Sequence, residues 1–175
     1  FRCVATDIDS SKLIVLDEGD LAKAVRASLT FPFFVRPIKV DDRLLFDGGM
    51  MDNFPVNIAK DAFNPDFIIG SKAVQNYDAP KADDVFSQLQ NMLMKKADFN
   101  VDSADGVVVE IMTGDENVFQ FQKVESYIDS GYAAANRMMA NLKSRLENRQ
   151  TKTELVNKRK SFFAKQPELL IGDVI

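Results

Sequence analysis

The residues best placed to do chemistry form a short run, Asp47-Gly48-Gly49, at the end of the apolar stretch Leu44-Leu45-Phe46. A carboxylate at the carboxyl end of a strand is fixed by the strand itself, in the usual location of functional groups in open α/β sheets. Two glycines behind it let the backbone turn away sharply and leave no Cβ in the path of a nucleophile or substrate. The apolar flank predicts partial desolvation of Asp47, which would raise its pKa toward the working range of a general base. As three letters alone, the run is more commonly a hairpin-turn signal. The chain has no His and a single Cys, so a Ser-His-Asp triad cannot be assembled within these residues. A metal site would have to rest on carboxylates, which are scattered, and neither a metal nor another cofactor is expected. Cys3 cannot form an internal disulfide and reads as a small buried hydrophobe.

The elements that must position Asp47 can be read from periodicity and turn chemistry. Residues 1–8 predict a buried strand, Asp9-Ser10-Ser11-Lys12 a turn, and residues 13–16 a second strand. Asp20 is suited to cap a helix with Leu21, Ala24, Val25 and Ser28 on one face, stopped by Pro32. Residues 37–40 and 44–46 predict a hairpin around Asp41-Asp42-Arg43, its second strand running directly into Asp47. A short helix is expected over 55–62, capped by Asn53 and ended by Asn64-Pro65. Phe67-Ile68-Ile69-Gly70 reads as a parallel strand covered on both faces. A helix over 83–96, a strand over 106–111 and a long helix carrying Ile128, Tyr132, Ala135, Met139, Leu142 and Leu146 complete the series. Strands alternating with helices predict an α/β layered fold with a mainly parallel sheet.

The formal charge of −4 argues against nucleic acid as a partner of the whole chain. The charge is unevenly spread: between Arg137 and Lys165 there are nine Lys or Arg against Glu147 and Glu154. That basic stretch is either a solvated helix face or a contact for anionic lipid or an acidic neighbour. No apolar run approaches the ~20 residues of a membrane helix.

The ordered series Arg26-Ala27-Ser28, Phe31-Pro32, Pro37, Leu44-Leu45-Phe46-Asp47-Gly48-Gly49 and Asn53-Phe54-Pro55-Val56 resembles the patatin-like phospholipase family. The opening Cys3-Val4-Ala5-Thr6-Asp7-Ile8 and the Gly19-Asp20 helix start are similar to it too, so the resemblance covers about residues 1 to 75. It implies a three-layer α/β/α fold and a Ser-Asp dyad in which Asp47 is the base and Gly48 and Gly49 form the active-site loop. The implied reaction is acyl transfer, with phospholipid or lysophospholipid as substrate: a serine hydroxyl attacks the ester, the carboxylate takes its proton, and water releases the acyl-enzyme. Phe31, Phe33 and Phe34 would then either line an acyl pocket or belong to the core. Phe33 departs from the family, which often places Gly there.

The family's Gly-x-Ser-x-Gly elbow and Gly-rich oxyanion loop are absent from these residues; Gly70-Ser71 lacks the second glycine and reads as a loop serine. The chain opens on a strand and not on Met, so the expectation is a C-terminal part of a patatin-like domain, with the N-terminal strands and elbow upstream and no ester hydrolysis by these residues alone. The rival expectation is a catalytically inactive patatin-like module that binds lipid or protein at a membrane. The expected organisation is 1–147 patatin-like, 148–165 a basic linker or helical extension, and 166–175 the start of another domain. The run from Lys158 to Ile171 resembles the join in bacterial patatins fused to an outer-membrane β-barrel, or is an ordinary C-terminal segment. The corresponding compartments are the bacterial outer membrane or periplasm, otherwise the cytoplasm. A piece lacking its first strands would also expose sheet edge and associate with itself.

Overall fold

The connection from residue 8 to residue 11 is too short for a crossover helix, so the strands on either side of it must run antiparallel. That is what the computed structural model, which describes residues 1–112, 121–146 and 150–166, contains. β1 (Cys3–Asp7) pairs antiparallel with β2 (Lys12–Leu16), Ala5 opposite Ile14. On its other side β1 pairs antiparallel with β4 (Arg43–Asp47), Ala5 opposite Asp47 and Asp7 opposite Leu45. β3 (Ile38–Val40) closes the hairpin onto β4, giving the order β2-β1-β4-β3. The two residues between β3 and β4, Asp41 and Asp42, both have positive φ, 48° and 61°, the backbone of a tight two-residue hairpin turn. Arg43 belongs to the strand and not to the turn.

Helix α1 (Leu21–Ser28) is capped as its sequence predicts: the Asp20 carboxylate accepts from the backbone N–H groups of Ala22 and Lys23. It buries Ala24 and Ala27, and Ala27 joins Ala5 and Leu45 in the core, with Ile14, Leu16, Ile38 and Val40 packed around them. Small residues at the contact let the helix approach the sheet closely. After β4 come a single 3₁₀ turn over Gly48–Met50 and helix α2 (Val56–Phe63). Asn53 does not cap α2; the cap position is Pro55, which has no side chain to offer, while Asp52 accepts from the Phe54 N–H. Asn64 ends the helix in the left-handed conformation, φ 40°.

β5 (Ile68–Lys72) and β6 (Gly106–Glu110) form a separate two-stranded parallel ribbon, connected through α3 (Val85–Leu93). Two expectations are corrected here. Among the described residues the larger sheet is wholly antiparallel: short turns make β1–β2 and β3–β4 hairpins, β1 and β4 meet antiparallel across the longer connection through α1, and parallel pairing is confined to β5 and β6. Nor is β5 covered on both faces: Gly70 is buried against the Phe54 ring, but Ile69 is 52% exposed. Ser71 lies inside β5 and not in a loop. Cys3 is half-buried, with its thiol pKa raised by that burial.

Two compact units are present, Phe1–Arg137 and Met138–Ile175. The first includes most of α4 (Val124–Arg145), where Ala134 is buried. The second includes the last turns of α4 and all of α5 (Lys152–Phe163). Residues 152–163 of the basic stretch are helical, started by a capping box in which Thr151 Oγ1 accepts from the Glu154 N–H and the Glu154 carboxylate accepts from the Thr151 N–H. Residues 167–175, where the start of another domain is expected, lie outside the described residues.

Candidate active site

Asp47 is the last residue of β4, and its backbone is tied on both sides. Its N–H donates to the Thr30 carbonyl at 2.9 Å, and its carbonyl accepts from Thr6 Oγ1 at 2.8 Å. Strand β1 and the loop after α1 thus fix the Cα from which the carboxylate projects. The carboxylate accepts the Gly49 N–H at 2.7 Å and so caps the turn that follows. Burial raises the Asp47 pKa above that of an ordinary carboxyl, and the Gly49 hydrogen bond opposes that shift in part. The result is a carboxyl held in one place, partly desolvated, with one of its oxygens engaged by the loop.

The two glycines are required by space and not by backbone angle, since neither has positive φ. A Cβ on Gly48 would overlap the Val4 carbonyl oxygen and side chain. A Cβ on Gly49 would lie 2.7 Å from Asn53 Oδ1 and 3.1 Å from the Asp47 carboxylate. The path that the glycines keep clear is thus occupied by the protein's own β1 and Asn53.

A second network supports the loop that receives Asp47. Thr30 is completely buried; its Oγ1 donates to the Arg26 carbonyl at 2.8 Å and accepts from Arg26 Nη1 at 2.7 Å. Arg26 Nη2 also donates to the Arg36 carbonyl at 2.8 Å, so one guanidinium ties the end of α1 to the far side of the loop. Thr6 and Thr30 are the positioning residues that sequence reading missed. Their signal was a polar residue inside an apolar strand and one just past a helix end, and it becomes legible only once both are seen to be buried.

Phe31, Phe33 and Phe34 stand in that same loop. Phe33 has φ 69° and is 77% exposed; Phe34 is half exposed. Phe31, by contrast, is half-buried. The Phe31 and Phe34 rings lie 5.6 Å apart, and Phe34 meets Phe86 of α3 edge-on at 5.8 Å. Phe31, Phe33, Phe86, Leu89, Leu93 and Met94 bound an open apolar cleft. On the other side of Met94 lies a polar pocket bordered by Gly49, Asn53, Asn76, Asn91 and Lys95. Its walls are held by two hydrogen bonds between Asn76 and the Ala97 backbone, and by the Lys95 N–H donating to the Met50 carbonyl at 2.8 Å.

These features fall in, or directly against, one continuous stretch of sequence. Residues 4–60 match the patatin-like phospholipase family. The matched stretch contains the antiparallel sheet except Cys3, together with α1, Asp47, both glycines and the three phenylalanines. It is narrower than the sequence resemblance suggested, ending within α2. An uncharacterized NTE family protein of Mycobacterium tuberculosis is 41% identical over 56 residues, 32% of this chain and 16% of the relative. A second NTE family protein of that organism is 34% identical over 58 residues, 33% of this chain and 10% of the relative. The patatin-like phospholipase domain-containing protein 6 of Mus musculus is 41% identical over 59 residues, 33% of this chain and 4% of that protein. The chain thus spans a small fraction of the length of these relatives.

Proposed function

We propose that the chain supplies the base of a serine lipid acyl hydrolase. The observation that carries this reading is Asp47: a fixed, partly desolvated carboxyl at the end of a strand, inside the patatin-like stretch. A carboxyl whose pKa is raised by burial is a stronger base than a solvated one, which is what removal of a serine proton requires. In this mechanism a serine outside these 175 residues attacks the ester carbonyl. Its proton passes to the free carboxylate oxygen of Asp47 while backbone amides hold the oxyanion; the C–O bond of the ester then breaks and the protonated Asp47 gives that proton to the departing alcohol, leaving an acyl-serine. Water attacks the acyl carbonyl as Asp47 takes its proton, and Asp47 returns it to the serine oxygen as the fatty acid leaves. On this reading the 175 residues alone do not hydrolyse esters.

The substrate proposed is a phospholipid or lysophospholipid. The apolar surface at Phe31, Phe33 and Phe86 and the polar surface beside Gly49 share Met94 as a common border, the pairing of apolar and polar character that a lipid ester presents. The fluorophosphonate reaction of the full-length protein tests the dyad. Labelling of a serine that disappears in Asp47→Asn supports it. A folded full-length protein that does not label would instead make this a patatin-like scaffold that binds lipid or protein without catalysis.

A further inference from the structure

Helix α5 has a composition unlike the rest of the chain. Residues 150–166 carry Lys152, Lys158, Arg159, Lys160 and Lys165 against the single acid Glu154, a net of +4 in a chain whose total is −4. The remainder of the chain therefore carries −8, and the basic helix is a local feature. Glu154 is engaged in the capping box, accepting from the N–H and hydroxyl of Thr151, so it neutralises none of the lysines. No α5 side chain takes part in an ion pair among the described residues.

The helix also buries nothing, yet it carries four large apolar side chains: Leu155, Val156, Phe162 and Phe163. At 3.6 residues per turn these four fall within roughly 120° of the circumference. Phe162 and Phe163 are 60% and 69% exposed and pack edge-on at 5.7 Å, forming an aromatic end to the stripe. Lys158 and Lys160 flank the stripe on opposite sides. Arg159 and Lys152 lie at its centre, so the helix is not cleanly two-faced: it is a basic helix with apolar side chains set among the cations, whose long aliphatic stems can follow the apolar surface while their charges reach outward.

We propose that α5 docks the chain on an anionic lipid surface, with Leu155, Val156, Phe162 and Phe163 entering the head-group boundary and the flanking Lys and Arg pairing with lipid phosphates. The case for lipid over an unspecified partner is the coincidence of the two features. A merely solvated helix has no use for two adjacent exposed phenylalanines, and an apolar protein groove has no use for charges beside and within the stripe. An anionic bilayer surface satisfies both, the cluster of Lys and Arg supplying the attraction and the exposed phenylalanines the apolar contact. The proposal is independent of the role of Asp47.

The test is co-sedimentation of the 175-residue chain with vesicles of phosphatidylcholine alone and of phosphatidylcholine with one-third phosphatidylglycerol. Binding is expected to the anionic vesicles only and to weaken as salt is raised. Each basic residue removed should weaken binding about fivefold, so Lys158→Gln/Arg159→Gln/Lys160→Gln should reduce it by roughly two orders of magnitude. Phe162→Ser/Phe163→Ser should also weaken it while leaving the salt dependence in place. Asp47→Asn should bind like the parent chain. No binding to either vesicle, equal binding to both, or anionic binding untouched by the α5 substitutions would each overturn the proposal. Circular dichroism of the variants on their own confirms that the fold is retained.

Discussion

The loop after β4 and the loop after α1 both contribute to the surroundings of Asp47, and both hold a backbone that ordinary side chains tolerate poorly. At Gly48 and Gly49 the angles are unremarkable and the constraint is room, because β1 and Asn53 press against the positions a Cβ would take. At Phe33 there is room and the constraint is the angle: a large side chain sits at φ 69° and projects into solvent. A residue in the left-handed region costs about 1–2 kcal/mol relative to its ordinary conformation. The first loop is therefore fixed by packing. The second keeps a strained residue whose side chain gains little from burial, so packing does not offset the strain.

The comparison breaks most visibly at Gly48. Gly48→Ala should cost about 3 kcal/mol or more, or prevent folding, because backbone and not a flexible side chain opposes the new methyl. Gly49→Ala should cost about 1 kcal/mol, since the Asn53 side chain can rotate away. Urea denaturation of the two variants side by side checks the ranking; equal costs would show that space is not the constraint. Thr30→Val should follow, at about 1–3 kcal/mol, because it leaves Arg26 Nη1 and the Arg26 carbonyl without their buried partner. At Phe33 the sign should reverse: Phe33→Gly should be more stable than Phe33→Ala by about 1 kcal/mol, since only glycine is free of the left-handed penalty. If Ala is the more stable of the two, the strain argument fails.

The smallest effect concerns pH. Burial holds the Asp47 pKa above its unfolded value, so the native state keeps its proton more tightly. Stability therefore falls as pH rises from the ordinary carboxyl range through the folded pKa. Asp47→Asn removes that dependence while retaining an acceptor for the Gly49 N–H. Relative to the parent chain it should gain stability above this window and gain none below it. Parallel denaturation curves at all pH values would contradict the assigned shift.

Much of this was legible in the sequence where a local rule is strong. The Asp20 cap, the Asp41-Asp42 turn and the Asn64 stop each follow from chemistry within four residues, and all three are present. Strand direction was misjudged because the alternation of strands and helices was weighed above the short turns, which decide how β1 pairs with β2 and β3 with β4; the β1–β4 pair is a long-range contact that no local signal announces. The glycine-rich loop was recognised, but its reason was not: crowding by Val4 is a long-range contact with no trace in the sequence around Gly48. The same holds for Thr6 and Thr30, whose roles depend on which elements meet.

The central claim is that Asp47 acts as the base of an acyl hydrolase, and the most direct measurement is the rate of lysophospholipid hydrolysis by the full-length protein and its Asp47→Asn variant. A loss of at least about 10²-fold in kcat, with an unchanged denaturation midpoint or a slightly raised one, is the predicted result. Hydrolysis at the parent rate by the folded variant would contradict the assignment.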